Sequence, residues 1–388
     1  MMAGALRFGQ LPWWCSNAEH RPMFRRPGRN GRSEDKGVRL AAEARRHRRL
    51  GTAILGRPSR LENGVDPMDL LRQLFKLLSG GAQPGVQLPG GRRPTGPQPL
   101  LNSRPFDDRP GKQGTRGVDE LVKRLGTDVN VLAVPVAYRS FEVPKRGGGW
   151  RLISAPEPAL RDVQRRILRR LLQSIDAHPA AVGFERGHST VENASQHAGR
   201  AVVLRMDVKD FFGNTSADRV RNLYTALGWN REATDLLVRL TTHDGKLPQG
   251  APTSPRLSNL VNRRLDARLS ASAASLGAHY TRYADDLTFS FETDDGSAVH
   301  HLISAAKLIV GSEGYELHQR RKLHIRRSYE RQLVSGLVVN VRPRLPRERR
   351  KWLRAVEHHA ATGQPVSLSA GALSGWRGYH SMVEKGPS

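Results

Sequence analysis

The segment 280–291 predicts a β-hairpin whose turn carries two adjacent carboxylates. After the turn, apolar side chains alternate with Thr288 and Ser290, which is the period-two pattern of a half-buried strand. Ala284, Asp285 and Asp286 form the connection, and aspartate is common in tight turns. Any fold of this chain therefore has to accommodate an Asp-Asp pair at the end of a strand pair.

A second strand-like run, Val202 to Asp207, also ends in a carboxylate. Taken alone, each feature has an ordinary interpretation, because many strands end in aspartate and an Asp-Asp dipeptide can be a solvated turn. Together they fit phosphoryl transfer by two metal ions about 4 Å apart, which needs carboxylates from two strands. Adjacent carboxylates repel each other unless a cation lies between them, and Mg²⁺ prefers such oxygen ligands. We therefore predict that Asp207, Asp285 and Asp286 are catalytic metal ligands, with Asp286 in a supporting position.

The charge of the chain indicates a polyanionic partner. Lys and Arg number 63 against 36 Asp and Glu, which gives a net charge of +27 and favours nucleic acid. The alternative is a basic tail on a neutral enzyme, but basic residues also run through the part with regular periodicity. Cys15 is the only cysteine, so neither an intrachain disulfide nor a cysteine-based zinc site can form. With no apolar run of the roughly 18 residues that span a bilayer and no secretory signal, we expect a cytoplasmic protein without a membrane partner.

Composition divides the chain into five parts: a basic disordered arm (1–66), an amphipathic helix (67–80), a flexible linker (81–116), a mixed α/β part (117–340) and a helical part (341–388). The arm lacks the periodic apolar positions that would form a core. Asp66 can cap the following helix and Pro67 suits its first turn. Met68 lies at this boundary, so translation could begin there instead of at Met1.

Three motifs resemble those of reverse transcriptases. Tyr283–Asp286 resembles the family's hallmark tetrapeptide in its bacterial form, and Asp207–Phe212 resembles the first catalytic motif. Leu247–Leu260 resembles the template- and nucleotide-contacting motif between them, and the order and separations also agree. The resemblance implies an α/β (α+β) right-hand polymerase. Its fingers and palm, an antiparallel sheet with helices, would occupy 117–340 and a small helical thumb 341–388.

The resemblance also implies substrate-binding residues: Lys145, Arg151, Phe212, Gln249 and Gly250. Lys145 and Arg151 belong to a Gly-rich hairpin that can close over a triphosphate, or can be an ordinary exposed hairpin. Phe212 occupies the family's steric-gate position against a ribose 2′-hydroxyl, whereas Phe211 should point the opposite way, into the core. Lys322 resembles the lysine proposed to protonate departing pyrophosphate, as a general acid.

Two further elements resemble retron-type enzymes. Asn193 to His197 matches their Asn-Ala-x-x-His element, and Val334–Asn340 resembles their Val-Thr-Gly element with Ser335 in place of threonine. Asn193 and His197 share a helical face and are candidates for RNA binding, with helix capping or core packing as the alternative. Four basic residues of the expected thumb are also RNA-binding candidates: Arg349, Arg350, Lys351 and Arg354.

The resemblance implies an RNA-directed DNA polymerase that adds dNTPs to a primer with two Mg²⁺ ions, for which Mn²⁺ can substitute. Retron relatives use a structured noncoding RNA as template and primer source, and their RNA-linked DNA product serves antiphage defence with an effector protein. One alternative is a reverse transcriptase of group II introns or of another defence system, although no C-terminal maturase extension is expected here. A second alternative is a catalytically idle RNA-binding scaffold, against which the intact carboxylates argue.

Overall fold

A computed structural model describes residues 114–145, 148–318, 323–366 and 368–386. Its helices are α1 (Val118–Leu125), α2 (Val129–Leu132), α3 (Pro158–Ile167), α4 (Thr190–Ser195), α5 (Ala217–Ala226), α6 (Arg231–Thr241), α7 (Ser254–Val261), α8 (Arg263–Ser275), α9 (Gly296–Ser312), α10 (Arg347–Ala361) and α11 (Ala370–Lys385). Its strands are β1 (Tyr138–Pro144), β2 (Trp150–Pro156), β3 (Val202–Asp207), β4 (Ala278–Tyr283), β5 (Asp286–Phe291), β6 (His324–Arg327), β7 (Leu333–Val334) and β8 (Leu337–Val338). The mixture of helices and antiparallel sheet confirms the predicted fold class.

Strands β3 to β6 form one antiparallel sheet in the order β4-β5-β3-β6. The predicted hairpin is confirmed, because β4 and β5 pair with Tyr283 opposite Asp286 and leave a two-residue turn. Strand β3 lies beside β5 with Asp207 opposite Asp286. The ends of three strand segments therefore meet at one edge of this sheet.

The two faces of the sheet differ in what covers them. One face carries Leu204, Met206, Leu287 and Phe289, which pack with the apolar faces of α8 and α9. The other face carries Val203, which packs with α4, β7 and β8 and with Val383 of α11. Because both faces are covered, β5 is almost wholly buried along its length, as expected for a central strand.

A second hydrophobic core is formed by helices that pack beside the base of the β1-β2 hairpin. Helix α3 begins with Pro158 in its first turn, where proline is well tolerated. Leu168–Leu172 continue it as one π-helical stretch. Side chains of α3 pack with those of α1, α5, α6 and α7. The β1-β2 hairpin itself is antiparallel and extends from this core with an exposed tip that includes Trp150 and Leu152.

Helices α10 and α11 form a small helical pair in the part predicted as thumb. Leu353, Val356 and Leu373 are buried between them, together with the partly buried rings of Trp352 and Trp376. The division at residues 340 and 341 stays a prediction. The arm (1–66), the helix (67–80) and most of the linker (81–113) lie outside the described residues.

Arg116, the last residue of the predicted linker, is hydrogen-bonded to the folded part of the chain. The Arg116 amide donates to the Gly228 carbonyl at 3.1 Å, and Asn230 donates back to the Arg116 carbonyl at 2.8 Å. The Arg116 guanidinium also donates to the Leu227 carbonyl at 2.7 Å. A Gly-rich composition did not reveal these backbone bonds, because they depend on a distant turn.

Candidate active site

Asp207, Asp285 and Asp286 come together where β3 ends and β5 begins, at one end of the four-stranded sheet. Directly opposite residues of an antiparallel pair project to the same side, so Asp207 and Asp286 share a face. Asp285 lies in the turn, and its carbonyl accepts a 2.9 Å bond from the Val208 amide, the residue that follows Asp207. The fold thus brings the three predicted carboxylate residues to adjoining backbone positions.

Two cationic or polar neighbours of these aspartates were not expected. Arg205 lies two residues before Asp207 on the same face, and its guanidinium is 3.2 Å from both carboxylate oxygens of Asp286. His318 donates its amide to the Asp207 carbonyl at 2.9 Å, and its ring Nε2 is 3.3 Å from an Asp207 carboxylate oxygen. The alternation of β3 could have identified Arg205, whereas no local pattern marks His318.

The donor chemistry of this edge fits hard divalent cations, because carboxylate oxygens from two strands are what such ions prefer. In the described part of the chain, no three His, Cys, Asp or Glu side chains already form a complete ligand set. The carboxylates of Asp286 and Asp207 instead contact Arg205 and His318. An ion bound here would share these carboxylates with Arg205 and His318.

A buried ion pair lies directly behind the turn that joins β4 and β5. Arg282 and Asp266 are both fully buried, and the guanidinium donates to the two carboxylate oxygens at 2.7 and 2.6 Å. The third guanidinium nitrogen, Nη1, donates to the Asn259 side-chain oxygen at 3.0 Å and to the Ala284 carbonyl in the turn at 3.2 Å. Burial lowers the pKa of Arg282, but the Asp266 charge outweighs it and the net shift is upward. Arg282 therefore stays charged and ties the turn to α7 and α8.

The turn itself has an unusual backbone. Ala284 has φ +58°, a region that L residues with a Cβ seldom adopt. Gly183 lies so close that a Cβ there would be 2.7 Å from the Ala284 nitrogen. The backbone amides of Val182 and Gly183 both donate to the Arg282 carbonyl, at 3.0 and 3.3 Å. The turn is therefore held by the Arg282 side chain and by backbone bonds to the Val182–Gly183 segment.

The two adjacent phenylalanines differ in burial, although their rings meet edge to face with centroids 5.6 Å apart. Phe211 is 3% exposed, stacks on Tyr315 and lies beneath the Arg282 guanidinium. Phe212 is half-buried and lies near Phe184, with ring centroids 6.2 Å apart. Phe211 is thus a core residue, whereas Phe212 is only partly buried and also packs against the core around α3.

The loop with Gln249 and Gly250 packs on the β1-β2 hairpin. The Gln249 carbonyl accepts from the Ser154 amide at 2.8 Å. Gly250 has φ +132°, and a Cβ there would be 2.9 Å from the Ser154 carbonyl, so glycine is required for this approach. At the hairpin tip Lys145 is exposed and Arg151 half-exposed. Lys322 lies outside the described residues.

Asn193 and His197 are not available for RNA contact, which corrects their prediction as RNA-binding residues. They are 1% and 0% exposed. His197 bonds to Ser290 and Thr281 at 2.8 and 2.7 Å. Asn193 accepts from Thr281 at 2.7 Å and donates to Ser335 at 2.7 Å. The two retron-like elements therefore meet in one buried network on the sheet, and helical spacing alone could not show which way their face points.

Burial controls the protonation of this network. It lowers the pKa of His197 to about 3, and the nearby His279 and Arg200 act in the same direction. The ring is therefore neutral at neutral pH. With both ring nitrogens bonded to hydroxyls, it can donate to one and accept from the other.

The four RNA-binding candidates of α10 divide into two groups. Lys351 and Arg354 are exposed. Arg349 is half-buried over the rings of Trp352 and Trp376, 5.2 Å from each centroid, and Arg350 is also half-buried. Arg349 therefore contributes to packing of the helical pair, and the two exposed residues have the greater freedom to reach phosphates.

A four-stranded antiparallel sheet with aspartates on adjoining strand ends defines the class of right-hand nucleic-acid polymerases. A family model described as reverse transcriptase (RNA-dependent DNA polymerase) matches residues 143–325. The retron Mx65 reverse transcriptase of Myxococcus xanthus is 40% identical over an alignment of 295 residues that covers 69% of this chain and 68% of that protein. The retron Ec86 reverse transcriptase of Escherichia coli is 33% identical over 253 residues, 64% of this chain and 77% of that protein. The chain belongs to the retron reverse transcriptases and is an RNA-directed DNA polymerase.

Among the described residues, no helix is both long and apolar enough to cross a bilayer.

Proposed function

We propose that this reverse transcriptase extends a primer on a structured noncoding RNA with two Mg²⁺ ions bound by Asp207, Asp285 and Asp286. The observation that carries the proposal is the pairing of Asp207 with Asp286 next to the turn that holds Asp285. When bound, such ions activate the primer hydroxyl and neutralise charge on the triphosphate. Mn²⁺ is expected to substitute, because it accepts the same oxygen ligands.

The chain's own residues would position the reactants. The exposed Lys145 and the half-exposed Arg151 lie at the tip of a hairpin whose base packs on Gln249 and Gly250. Their cationic donors suit the triphosphate oxygens. Because the base of the hairpin is hydrogen-bonded to this loop, a nucleotide bound there would meet the phosphate contacts and the template contacts together.

Phe212 is proposed to select the sugar. Its ring is half-buried and lies 6.2 Å from that of Phe184, which in turn lies 6.3 Å from Tyr283, whereas Phe211 occupies the core. A bulky ring that crowds the 2′-hydroxyl excludes ribonucleotides by sterics, which is a difference in transition-state binding between two substrates. Phe212→Ala is therefore expected to raise incorporation of ribonucleotides relative to deoxynucleotides. Unchanged discrimination in single-nucleotide kinetics would show that the gate lies elsewhere.

The RNA partner is proposed from charge and from the relatives' names. A net charge of +27 favours a polyanion, and Lys351 and Arg354 extend from α10 into solvent. The relatives are described as retron reverse transcriptases. We infer that this chain likewise makes DNA linked to a noncoding RNA, for antiphage defence with an effector protein.

The test is extension of a primed RNA template by the full chain in titrations of Mg²⁺, Mn²⁺ and a chelator, together with sequencing of nucleic acid that copurifies. Metal-dependent extension and one enriched structured RNA are the expected results. A copurifying RNA without any metal-dependent extension would contradict the proposed chemistry. Efficient extension with no enriched RNA would contradict the proposed partner.

A further inference from the structure

Phe184 adopts a backbone conformation that a bulky residue normally avoids. It has φ +65°, in the left-handed region where glycine and asparagine are usual and aromatic residues are true outliers. Its ring is nevertheless 42% exposed, so burial offsets little of this strain. Strain of this kind persists at sites where surrounding structure enforces it, and such sites are often functional.

Side-chain hydrogen bonds and an ion pair hold the residues on both sides of Phe184. The Asn259 side-chain amide donates to the Gly183 carbonyl at 2.6 Å and to a Glu185 carboxylate oxygen at 2.7 Å. Glu185 also forms an ion pair with Arg256. The loop is therefore fixed by α7, the helix that begins just after the Gln249-Gly250 loop.

The ring of Phe184 is directed to the catalytic edge. Its centroid is 6.2 Å from that of Phe212 and 6.3 Å from that of Tyr283, within the range of favourable aromatic pairs. Tyr283 is opposite Asp286, so it lies on the same face of the sheet as the catalytic carboxylates. Phe184 thus lies between the proposed sugar gate and the hallmark tetrapeptide.

We propose that Phe184 is a specificity-determining residue that contacts the sugar of the incoming deoxynucleoside triphosphate. A glycine or asparagine would adopt this backbone without strain, so a rigid, half-exposed ring at this position needs a reason outside the folding of the loop. Contact with a substrate beside Phe212 supplies that reason. The proposal rests on the gate role of Phe212 and extends it to a surface built from two loops.

The test compares Phe184→Asn with the unchanged chain in melting experiments and in single-nucleotide extension. Asparagine tolerates the left-handed backbone, so the melting temperature is expected to stay the same or rise. The KM for dNTP is expected to rise about tenfold and deoxy-over-ribo discrimination to fall by a similar factor, the scale of one lost apolar contact. An unchanged or higher melting temperature together with a higher KM would indicate a substrate contact, because loss of a packing contact would lower the melting temperature.

Two further variants complete the design. Phe184→Leu keeps an apolar side chain but removes the ring, and it should also lower sugar discrimination. Leu308→Ala, which truncates a 62% exposed apolar residue on α9, should change neither quantity and serves as the control. If Phe184→Asn and Phe184→Leu keep the original KM and discrimination while Phe212→Ala relaxes it, the inference is wrong and the gate stands. If Phe212→Ala also leaves discrimination unchanged, both assignments are wrong.

Discussion

The buried pair of Arg282 and Asp266 offers a prediction that separates stability from catalysis. Asp266→Ala would remove the acceptor of three hydrogen bonds, from two guanidinium nitrogens at 2.7 and 2.6 Å and from the Tyr280 hydroxyl at 2.9 Å. Breaking one half of a buried pair leaves an uncompensated charge, which costs about 3–5 kcal/mol. Since domains of this kind are stable by only about 5–15 kcal/mol, urea denaturation should show a large loss.

A compensated variant distinguishes the two roles of the pair. Replacing both partners by apolar residues of similar volume (Arg282→Met with Asp266→Leu, plus Tyr280→Phe so that no hydroxyl is left unpaired) should restore part of the stability. The rest stays lost because the Asn259 and Ala284 oxygens still lack the Arg282 donor. The variant cannot restore the 3.2 Å bond from Arg282 to the Ala284 carbonyl in the catalytic turn. The extension rate should therefore stay about tenfold or more below that of the unchanged chain, the scale of one positioning hydrogen bond.

The assay is urea unfolding followed by single-turnover extension under saturating metal and dNTP. Arg327→Ala, which breaks a half-exposed pair with Asp294, is the matched control, because surface pairs contribute only about 0–1 kcal/mol. A compensated variant that recovers both stability and rate would refute the reasoning. The pair would then be structural only and the turn would not depend on it.

Two further predictions concern the buried network and α10. The His197 pKa is about 3 in the folded chain and about 6.5 when unfolded, so the unfolded state takes up the proton first as the pH falls. Stability should therefore decrease below about pH 6.5, and His197→Gln should reduce the loss between pH 7 and 5 by about 2 kcal/mol in urea titrations; equal slopes would contradict this. Lys351→Ala with Arg354→Ala should weaken RNA binding and lower the salt dependence by about two phosphate contacts. Asn193→Ala should leave that salt slope unchanged, and a reduced slope there would restore it as an RNA contact.

Local patterns were sufficient for the parts of the site that lie on strands. The alternation around Thr288 and Ser290 predicted the hairpin, because neighbouring residues reveal this side-chain periodicity. Phe211 is buried as expected, but residues 209–214 form a turn and not a strand, so period two is not the reason for its burial. The same rule applied to β3 would have found Arg205, two residues from Asp207.

Contacts between distant segments could not be predicted in this way. Arg282 and Asp266 join a strand to a helix, and their partnership depends on how α8 packs on the sheet. Asn193 and His197 have the right helical spacing, but spacing does not tell whether a face meets solvent or another element. Their burial followed only from the position of α4 against Thr281, Ser290 and Ser335.

The most direct test of the account is the Asp285→Asn variant, which keeps the shape of the turn and removes one charge. Loss of a metal ligand should cost several kcal/mol of transition-state stabilisation, a decrease in extension rate of about a thousandfold or more. RNA affinity and melting temperature should remain close to those of the unchanged chain, and Asp244→Asn, at an exposed turn with φ +49°, should extend normally. Extension at the original rate by Asp285→Asn would contradict the assignment of the catalytic edge.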